Sequence, residues 1–419
     1  MNATAQPTRL LATQVLYQVV HKQQHLKAAL QAGVPNTLPA ADRAWIQNIC
    51  YQTLRHHQNL EARWHKFVDK PVKDKWLSTL LTLSVGQKVQ LQTPDHAVVN
   101  EAIKAAKKMR KAWAAGLLNK VLKLTLADTD FKPSTESAQL NHTAWWLDLL
   151  RKDWPDHWRQ IVDANNQAPP LWVRSELDWS AQSGQPHPHL AQAWRLTDTG
   201  TPIHEALQAG TLSVQDAAAQ YAAHLLAPEG HDRVLDACAA PGGKSAHLQQ
   251  LAPGIELDIL EQDPDRLALV KDNFRRLKLK ANRMILGDAT QPKEWFQGTK
   301  YDKILLDVPC SASGVVRRHP DIKLLRQPEH LKPLTQLQQE ILRQMAPLLQ
   351  VGGTLLYATC SVFRSENERA IKKFLQHNPS FSPLPMAIEG AVDCAFGQQI
   401  LTGSEHMDGF YYCLLRRTA

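Results

Sequence analysis

The sequence of 419 residues has few cysteines and no pattern that pairs them. No two cysteines form a C-x-x-C pair, and the six lie far apart, at Cys50, Cys238, Cys310, Cys360, Cys394 and Cys413. This spacing argues against a disulfide framework and against a zinc site, so we expect no bound metal. Any cysteine that matters for function is expected to act as a thiol.

Long apolar runs are also missing. No run approaches the roughly 18 residues of a membrane span, and residues 1–10 contain no apolar signal core. With 19 glycines and 25 prolines, the chain is too poor in both for a collagen-like or low-complexity protein. We therefore expect a cytoplasmic globular protein without a membrane partner, and we expect it to be a monomer.

Acidic residues are scarce in the first third of the chain. Residues 1–135 contain 19 Lys and Arg but only 8 Asp and Glu, a net charge of +11. The remaining residues contain 29 Lys and Arg and 32 Asp and Glu, a net charge of −3. The two parts together give the net charge of +8 for the whole chain. A basic first third predicts a polyanion partner, although a basic helical domain that is merely soluble would show the same imbalance.

The pattern of apolar residues divides the chain into three regions. Residues 1–135 place apolar side chains at three- and four-residue spacing, which predicts helices, among them 97–109 and 116–124. Residues 138–230 are rich in tryptophan and are interpreted as a small α+β connecting region. Over 231–419, short strand candidates alternate with helices, which predicts a mostly parallel sheet with helices on both faces.

The carboxyl ends of the strands are where a ligand is expected in such a sheet. The strand candidates are 233–239, 256–261, 283–287, 301–308 and 354–359, followed by a predicted hairpin of 398–402 and 410–416. The residues that follow each strand are therefore the candidates for a functional site.

The first of these strands runs into a turn of small residues. The turn is Cys238-Ala239-Ala240-Pro241-Gly242-Gly243-Lys244, and a helix is expected to start near Ser245. Small residues let the backbone approach a ligand closely, and a helix N-terminus favours an anionic group. The turn lacks the G-x-G-x-x-G pattern, which argues against a dinucleotide and hence against a nicotinamide oxidoreductase.

Acidic residues follow the next two strands. Glu261 lies 18 residues after Gly243, where a ribose-binding acid belongs in such folds. Asp288 follows the third strand, at the edge of the sheet that can reach a nucleoside base. We expect both carboxylates at exposed strand ends. Asp263, followed by a proline, is interpreted as the N-cap of the next helix.

Two cysteines and an aspartate follow the fourth and fifth strands. Asp307 and Cys310 end the fourth strand, and Cys360 ends the fifth. A lone cysteine is usually an inert small hydrophobe, but two at successive strand ends beside a cofactor loop indicate thiol chemistry. Ser365 and Glu368 fit a capping box, which would give the acidic residues there a structural role.

Four motifs, in this order, resemble the cytosine-5 RNA methyltransferases of the NOL/NOP/Sun family. They are DACAAPGGK at 236–244, DVPC at 307–310, ATCS at 358–361 and DGFYYCLL at 408–415. Segments 99–103 and 115–122 resemble a NusB-type helical RNA-binding domain. The resemblance implies a Rossmann-like methyltransferase domain preceded by an all-α NusB-like domain. It also implies methylation of C5 of a cytosine in 16S ribosomal RNA through a covalent cysteine–C6 adduct.

The same resemblance implies a role for each cofactor residue. Residues 238–244 would hold the methionine arm of S-adenosylmethionine, Glu261 the ribose and Asp288 the adenine side. Asp307 would lie between the cofactor and the target base.

The two cysteines receive different roles from the resemblance. Cys360 would be the nucleophile and Cys310 would assist release of the product. The residues alone do not give this order, because DNA cytosine methyltransferases use the cysteine that follows proline. Lys244, Arg317 and Arg318 are candidates to lower a thiol pKa.

Two groups of basic residues are candidates for contact with RNA. Arg317, Arg318 and His319 follow the fourth strand and are interpreted as phosphate contacts of a flipped nucleotide, with a solvated turn as the alternative. The second group, which we place within about two turns of one helix and for which a solvated helix face is the alternative, is Lys104, Lys107, Lys108, Arg110 and Lys111.

Two other functions stay open at this point. One is a tRNA cytosine-C5 methyltransferase of the same family, against which the NusB-like region argues. The other is an RNA-binding assembly factor without catalytic activity, against which the intact cysteines and cofactor loop argue.

Overall fold

The structure, a computed structural model, describes residues 8–197 and 200–419. Over these residues the chain forms two compact units. The first unit contains the residues up to Gln167 together with Val316–Gln327, and the second contains Ala168–Val315 and Pro328–Ala419. The backbone therefore leaves the second unit after Val315 and returns to it at Pro328.

The first unit is helical along the sequence up to Gln167. Its helices are α1 (Thr8–Lys22), α2 (Leu26–Gly33), α3 (Ala40–Arg55), α4 (His57–His65), α5 (Lys75–Leu91), α6 (Asp95–Lys108), α7 (Ala115–Ala127), α8 (Glu136–Leu140), α9 (Ala144–Asp153) and α10 (Trp158–Asn165). The helices predicted over 97–109 and 116–124 correspond to α6 and α7. The Asp74 side chain caps α5 by accepting hydrogen bonds from the backbone N–H groups of Trp76 and Leu77.

The segment Val316–Gln327 packs into the core of this helical unit. Leu325 is buried in one apolar cluster with Leu16 and Ile49. The Lys323 ammonium group is also buried, where it donates to the backbone oxygen of Arg55 at 2.6 Å and to Asn166 Oδ1 at 2.9 Å. Burial lowers the pKa of Lys323 well below the ordinary lysine value.

The second unit begins with a small antiparallel sheet. Its strands are β1 (Leu171–Ser175), β2 (Gln185–His187), β3 (Leu190–Leu196) and β4 (Leu212–Val214), in the order β2-β3-β1-β4. Helix α11 (Thr201–Ala209) lies between β3 and β4 in sequence, and α12 (Ala217–Leu226) follows β4. The region has the mixed α+β character that the sequence predicts.

The rest of the second unit is a larger, mostly parallel sheet with helices on both faces. Its strands are β5 (Arg233–Ala237), β6 (Glu256–Glu261), β7 (Arg283–Leu286), β8 (Tyr301–Asp307), β9 (Leu349–Thr359), β10 (Phe381–Pro383), β11 (Val392–Asp393), β12 (Gln398–Ile400) and β13 (Phe410–Arg417). The helices are α13 (Gly243–Leu251), α14 (Pro264–Arg276), α16 (Leu331–Met345) and α17 (Glu368–His377), while α15 (Ile322–Leu325) belongs to the first unit.

The strand order of the large sheet is β7-β6-β5-β8-β9-β13-β12-β11, with β10 paired to β13. Strands β5 to β9 pair with one another in parallel, whereas β13 pairs with β9 in antiparallel orientation. Apolar residues of α12, α13 and α14 cover one face, and those of α16 and α17 cover the other. The predicted fold class is confirmed.

Strand β9 is longer than the sequence predicts. It begins at Leu349 rather than at 354, and its pairing with β8 shifts register between Tyr301 and Lys303. The extra residues include Gly352, whose φ of +86° is in the left-handed region. Glycine is a poor strand former, so the glycine pair at 352–353 is the reason that the sequence pattern did not predict the first half of the strand.

Across residues 8–197 and 200–419, none of the helices combines the length and the apolar character needed to cross a bilayer.

Candidate active site

The site lies at the carboxyl end of β5, where the direction of chain winding reverses. Strand β5 is paired with β6 on one side and with β8 on the other. Adjacent loops diverge at such a switch point and leave a crevice for a ligand. The loop 238–244 follows β5 directly and leads into α13.

The loop 238–244 has a backbone that its small residues permit. Gly242 has a φ of +90°, and a Cβ atom added there would lie 3.0 Å from Cγ1 of Val270. Glycine is therefore required at 242 both for its conformation and for close packing against α14. Ala239 and Ala240 are buried, and Pro241 is exposed. The Arg174 guanidinium of β1 donates to the backbone oxygen of Gly243 at 3.3 Å.

Glu261 is buried, which corrects our expectation of an exposed strand end. Its side chain is 1% exposed and accepts backbone hydrogen bonds from Ala240 at 3.1 Å, Gln262 at 3.0 Å and Asp263 at 3.2 Å. The Arg266 guanidinium lies 3.6 Å away. Glu261 therefore ties the loop after β5 to the end of β6. Asp263 caps α14, as the sequence predicts.

Asp288 is half-buried on the other side of the same cleft. Its Oδ1 accepts a hydrogen bond from the backbone N–H of Thr290 at 2.7 Å. The lining of the cleft combines the two carboxylates with apolar side chains, including Cys238, Glu261, Asp288, Pro309, Leu337 and Ile341. Such a lining suits a flat apolar ring with a few hydroxyl or amino donors at its edge.

Lys244 and Asp307 form an ion pair between the cleft and the cysteines. The Lys244 Nζ atom is 2.6 Å from Asp307 Oδ2 and 5.0 Å from the centroid of the Phe410 ring. Burial lowers the pKa of Lys244, but the charges of Asp307 and Cys360 outweigh burial and raise it overall. The site therefore contains a fixed positive charge that interacts with Cys360.

The two cysteines are brought together, as their positions at neighbouring strand ends predict. Cys310 Sγ and Cys360 Sγ are 3.4 Å apart. The hydrogen bond with Cys360, burial and the nearby charges of Cys360 and Glu366 raise the pKa of Cys310 well above that of an ordinary thiol. Cys310 is thus a protonated thiol at neutral pH, placed to donate to the sulfur of Cys360.

Cys238 and Cys413 differ from this pair. Burial raises the pKa of Cys238, with the charges of Glu261 and Asp307 acting in the same direction. Burial also raises the pKa of Cys413, to about 12. Both are therefore unreactive thiols at neutral pH.

Glu366 is a site residue that the sequence interpretation missed. Its Oε1 accepts from the backbone N–H of Ser311 at 2.8 Å and from Gln338 Nε2 at 3.1 Å. Its Oε2 accepts from the hydroxyl groups of Ser311 at 2.5 Å and Ser361 at 2.6 Å. Ser311 and Ser361 directly follow the two cysteines, so this one carboxylate holds both cysteine loops.

The predicted capping box at Ser365 and Glu368 is wrong. Helix α17 begins at Glu368 with Asn367 as its N-cap, and no side chain makes a capping hydrogen bond there. Asn367 instead accepts from the Thr359 hydroxyl at 2.6 Å and donates to the backbone oxygen of Ser361 at 2.9 Å. The segment is used to fix the loop around Cys360 rather than to start a helix.

Gly314 and Gly409 explain part of the motif at 408–415. A Cβ atom added to Gly314 would lie 2.1 Å from the backbone oxygen of Gly409. The Gly314 N–H donates to the backbone oxygen of Cys360 at 2.9 Å, and the Gly409 N–H donates to the oxygen of Gly314 at 2.8 Å. Because neither glycine has a side chain, the loops that contain Gly314, Cys360 and Gly409 can hydrogen-bond to one another through their backbones.

The basic residues predicted to contact RNA lie in the first unit. Arg317 is buried, Arg318 is half-buried and His319 is exposed. The backbone oxygen of Arg317 accepts from the Arg55 guanidinium at 2.8 Å. The segment therefore belongs to the helical unit, although it directly follows the Cys310 loop in sequence.

The second basic group does not lie on one helix, contrary to our placement of it. Helix α6 ends at Lys108, and Arg110 has a φ of +59° beyond that end. Lys104 is paired with Glu101 at 2.8 Å, and Lys111 is paired with Asp74. Lys107 and Lys108 are exposed.

In the part of the chain that the structure describes, no group of three or more His, Cys, Asp and Glu side chains is placed to hold a metal ion.

The buried carboxylate of Asp236, near the end of β5, should make the stability of the fold depend on pH. Its Oδ2 accepts from the Ser245 hydroxyl at 2.5 Å. Burial raises the pKa of Asp236 to about 7, with the charge of Asp307 acting in the same direction and the Ser245 hydrogen bond opposing it. Between pH 4 and pH 7 the folded state therefore binds more protons than the unfolded state, so ionisation of Asp236 removes stability as the pH rises.

Asp236→Asn cannot ionise and keeps an acceptor for Ser245. We expect the difference in melting temperature between Asp236→Asn and the wild-type chain to increase by several degrees from pH 5 to pH 8. The reason is that each unit of pKa shift corresponds to about 1.4 kcal/mol of folding stability. Calorimetry across this pH range measures the difference, with the exposed Asp265→Asn as the matched control. Parallel pH profiles for the wild type and Asp236→Asn would contradict the assignment.

Comparison with known proteins places this site in a family. The family model of 16S rRNA methyltransferase RsmB/F matches residues 223–416, and the NusB family model matches residues 6–125. A ferredoxin-like domain model of RsmF/B-like methyltransferases matches residues 142–177.

Two solved structures, those of PH0851 and of NSun6 from Pyrococcus horikoshii, have a similar fold. PH0851 superposes with a TM-score of 0.80 at 21% identity, over 99% of each chain. NSun6 from Pyrococcus horikoshii, solved with SFG, superposes with a TM-score of 0.58 at 17% identity, over 66% of this chain and 98% of its own. At these identities the two structures show the fold alone.

Curated relatives match over nearly the whole chain. Ribosomal RNA small subunit methyltransferase B of Vibrio cholerae is 38% identical, over 98% of this chain and 97% of the relative. The probable enzyme of the same name in Coxiella burnetii is 37% identical, over 97% of this chain and 99% of the relative. The chain belongs to the ribosomal RNA small subunit methyltransferase B family.

Proposed function

We propose that this protein transfers a methyl group from S-adenosylmethionine to C5 of a cytosine in 16S ribosomal RNA. The observation that carries the proposal is the pair of thiols 3.4 Å apart, next to the buried ion pair of Lys244 and Asp307. The names of the relatives support the ribosomal RNA substrate, and the paired thiols support the cytosine-C5 chemistry. A tRNA substrate and a non-catalytic assembly role are the outcomes that the experiments below separate from it.

The cleft fits S-adenosylmethionine by its chemistry. Loop 238–244 would accommodate the methionine arm, because its small residues leave the backbone accessible next to the start of α13. Glu261 would accept from ribose hydroxyl groups, and Asp288 would face the adenine, with Pro309, Leu337 and Ile341 as apolar walls. When bound, the cofactor supplies a methyl group on a positively charged sulfur.

Cys360 is proposed as the nucleophile because the thiol of Cys310 lies 3.4 Å from its sulfur and can donate to it. C5 of cytosine is too weak a nucleophile to accept a methyl group directly. Addition of the Cys360 thiolate to C6 turns the C5 position into an enamine carbon, which can attack the methyl group. The Cys310 thiol stabilises the Cys360 thiolate by donating a hydrogen bond.

Release requires removal of the proton at C5, after which the Cys360–C6 bond breaks and its electron pair returns to sulfur. While Cys360 is an anion, its hydrogen bond and charge raise the pKa of Cys310. Once Cys360 is bonded to C6, that negative charge is gone and the pKa of Cys310 falls. Cys310 can then lose its own proton to solvent, and the resulting thiolate takes up the C5 proton, so the order of steps follows from the coupling of the two thiols.

The target cytosine must be unpaired or flipped out of a stack to expose C6 to Cys360. We propose that residues 1–135 bind RNA, that 138–230 connect them to the catalytic part, and that 231–419 carry the chemistry. The protein is proposed to act as a cytoplasmic monomer.

The cofactor residues give the first test of this function. Asp288→Asn and Glu261→Gln should each weaken binding of S-adenosylmethionine about ten- to a hundredfold, because a hydrogen bond to a charged group contributes roughly 1.5–3 kcal/mol. Glu261→Gln should have the larger effect, since an amide would also turn a donor toward one of the three backbone N–H groups that Glu261 accepts.

Titration calorimetry measures the affinity, and a thermal melt shows that each variant is folded. Asp265→Asn, an exposed carboxylate in the first turn of α14, is the matched control and should bind like the wild type. Wild-type affinity for both Asp288→Asn and Glu261→Gln would remove these residues from the cofactor site.

The two cysteines give the second test. Cys360→Ala should abolish methylation and form no covalent complex with RNA. Cys310→Ala should still let Cys360 attack, but release is slowed, so the methylated RNA stays attached to the protein. Denaturing gels with labelled 16S ribosomal RNA fragments should show a retarded band for Cys310→Ala and none for Cys360→Ala or the double variant.

The reverse pattern on these gels would make Cys310 the nucleophile. Retained methylation in both single variants would refute thiol catalysis. Wild-type protein that binds 16S fragments without methylating any of them would favour the assembly factor, and methylation of tRNA alone would favour the tRNA enzyme.

Glu366 gives a third test, as a positioning residue. Glu366→Gln replaces one acceptor oxygen by a donor and should lower kcat about ten- to a hundredfold, with KM for cofactor and RNA within about twofold. The loss of charge should also lower the pKa of Cys310, because Glu366 is one of the groups that raise it. The rate of Cys310 alkylation against pH, measured in a Cys360→Ser background, reports that shift.

The neighbouring Glu368→Gln is the control for Glu366, since Glu368 pairs with Arg364 instead of the cysteine loops. It should leave both the kcat and the alkylation profile of Cys310 unchanged. A Glu366→Gln variant with wild-type kcat and an unshifted alkylation profile would show that the carboxylate only stabilises the fold.

A further inference from the structure

A groove in the helical unit exposes an aromatic side chain that would normally be buried. Trp113 is 69% exposed, and the other large exposed hydrophobic residues of the described chain are leucines and valines. Trp113 lies in the 3₁₀ turn Ala112–Ala114 between α6 and α7, and the next turn of α7 presents Leu117, also exposed. Trp113 therefore presents a flat aromatic surface to solvent between the two helices.

The groove beside Trp113 is large enough for a planar ligand. It has a volume of about 500 Å³, within the usual range for ligand sites. Its apolar walls come from the segment between α4 and α5, from the start of α5 and from α7, and include Phe67, Val68, Val72, Leu77 and Val121. The groove is thus an apolar slot with one aromatic face open to solvent.

The rim of the groove carries positive charge from three lysines. Lys70 and Lys73 lie on one side and Lys120 on the other, and all three are exposed. Within residues 8–197 and 200–419, no carboxylate pairs with them, whereas Lys66, Lys104 and Lys111 are each paired with an acid. Of the two acids that line the groove, Asp74 is already used by Lys111 and by the N-terminus of α5, which leaves Asp69.

We propose that this groove, called here the Trp113 groove, binds a single-stranded RNA segment. One unpaired base stacks on Trp113, and the phosphates on either side contact Lys70, Lys73 and Lys120. An aromatic platform flanked by unpaired cations is the usual arrangement for single strands, because every base offers a flat face. A purely apolar protein segment would use the walls but would leave the three lysines unmatched, whereas single-stranded RNA supplies flat bases for the walls and phosphates for the lysines.

The Trp113 groove is a site separate from the cysteines, and its occupation does not depend on methyl transfer. Binding can therefore be measured with Cys360→Ala full-length protein, in which no covalent complex forms if Cys360 is the nucleophile. The probe is a fluorescein-labelled oligoribonucleotide of mixed sequence, compared with the same sequence as a duplex, and fluorescence anisotropy gives the affinity.

Trp113→Ala should weaken binding of the single strand about five- to a hundredfold, and Trp113→Phe should keep most of the affinity because phenylalanine still stacks. Duplex binding should change less than twofold in both. The triple variant Lys70→Gln, Lys73→Gln, Lys120→Gln should flatten the dependence of log affinity on log salt by about 0.7 for each phosphate that the protein no longer neutralises. The comparison triple Lys104→Gln, Lys107→Gln, Lys108→Gln on α6, which removes the other candidate RNA contacts, should flatten the slope less than the groove triple does.

Unchanged single-strand affinity for Trp113→Ala would overturn the proposal and leave the groove for a protein partner. Equal losses for Trp113→Ala and Trp113→Phe would also overturn it, because stacking would then not be the interaction. A comparison triple that loses as much slope as the groove triple would move the RNA interaction to α6. None of these results bears on the cysteine chemistry, which the covalent-complex experiment tests independently.

Discussion

The geometry of the proposed active site depends on one buried carboxylate, that of Glu366. A buried carboxylate is costly unless donors surround it. Here the donors are the residues that directly follow the two cysteines, Ser311 and Ser361, together with Gln338. The same hydrogen bonds that satisfy Glu366 therefore fix the distance between the thiols. The tight approach of Gly314 to Gly409 closes the loops from the other side.

A second charge, that of Lys244, connects the cofactor cleft with the thiols. Lys244 comes from the loop after β5, and Asp307 comes from the end of β8, its neighbour in the sheet. The parallel register of the strands brings these loops together, so the switch point of the sheet determines where this ion pair forms. Glu261, held by three backbone N–H groups, keeps the loop 238–244 in place on the other side of Lys244.

The sequence predicted the fold class, the strand ends and the pairing of Cys310 with Cys360, because each rests on short motifs at strand ends. Glu366 was missed because a glutamate near a helix start has a sufficient local explanation in capping, and only the fold shows that two distant loops meet it. The burial of Glu261 and the packing of Val316–Gln327 into the helical unit are also consequences of long-range contacts. No local periodicity marks them.

The coupling between the thiols bears on why the chemistry uses two cysteines instead of a cysteine and a carboxylate. A carboxylate beside Cys360 would be negative at neutral pH and would oppose formation of the thiolate. A thiol whose pKa is raised by that thiolate stays neutral and donates a hydrogen bond to it. When the thiolate charge is consumed in a bond to C6, the cause of the raised pKa is removed, and Cys310 can lose its own proton to solvent. Cys310 can therefore donate a hydrogen bond in the first step as a thiol and accept the C5 proton in the last step as a thiolate.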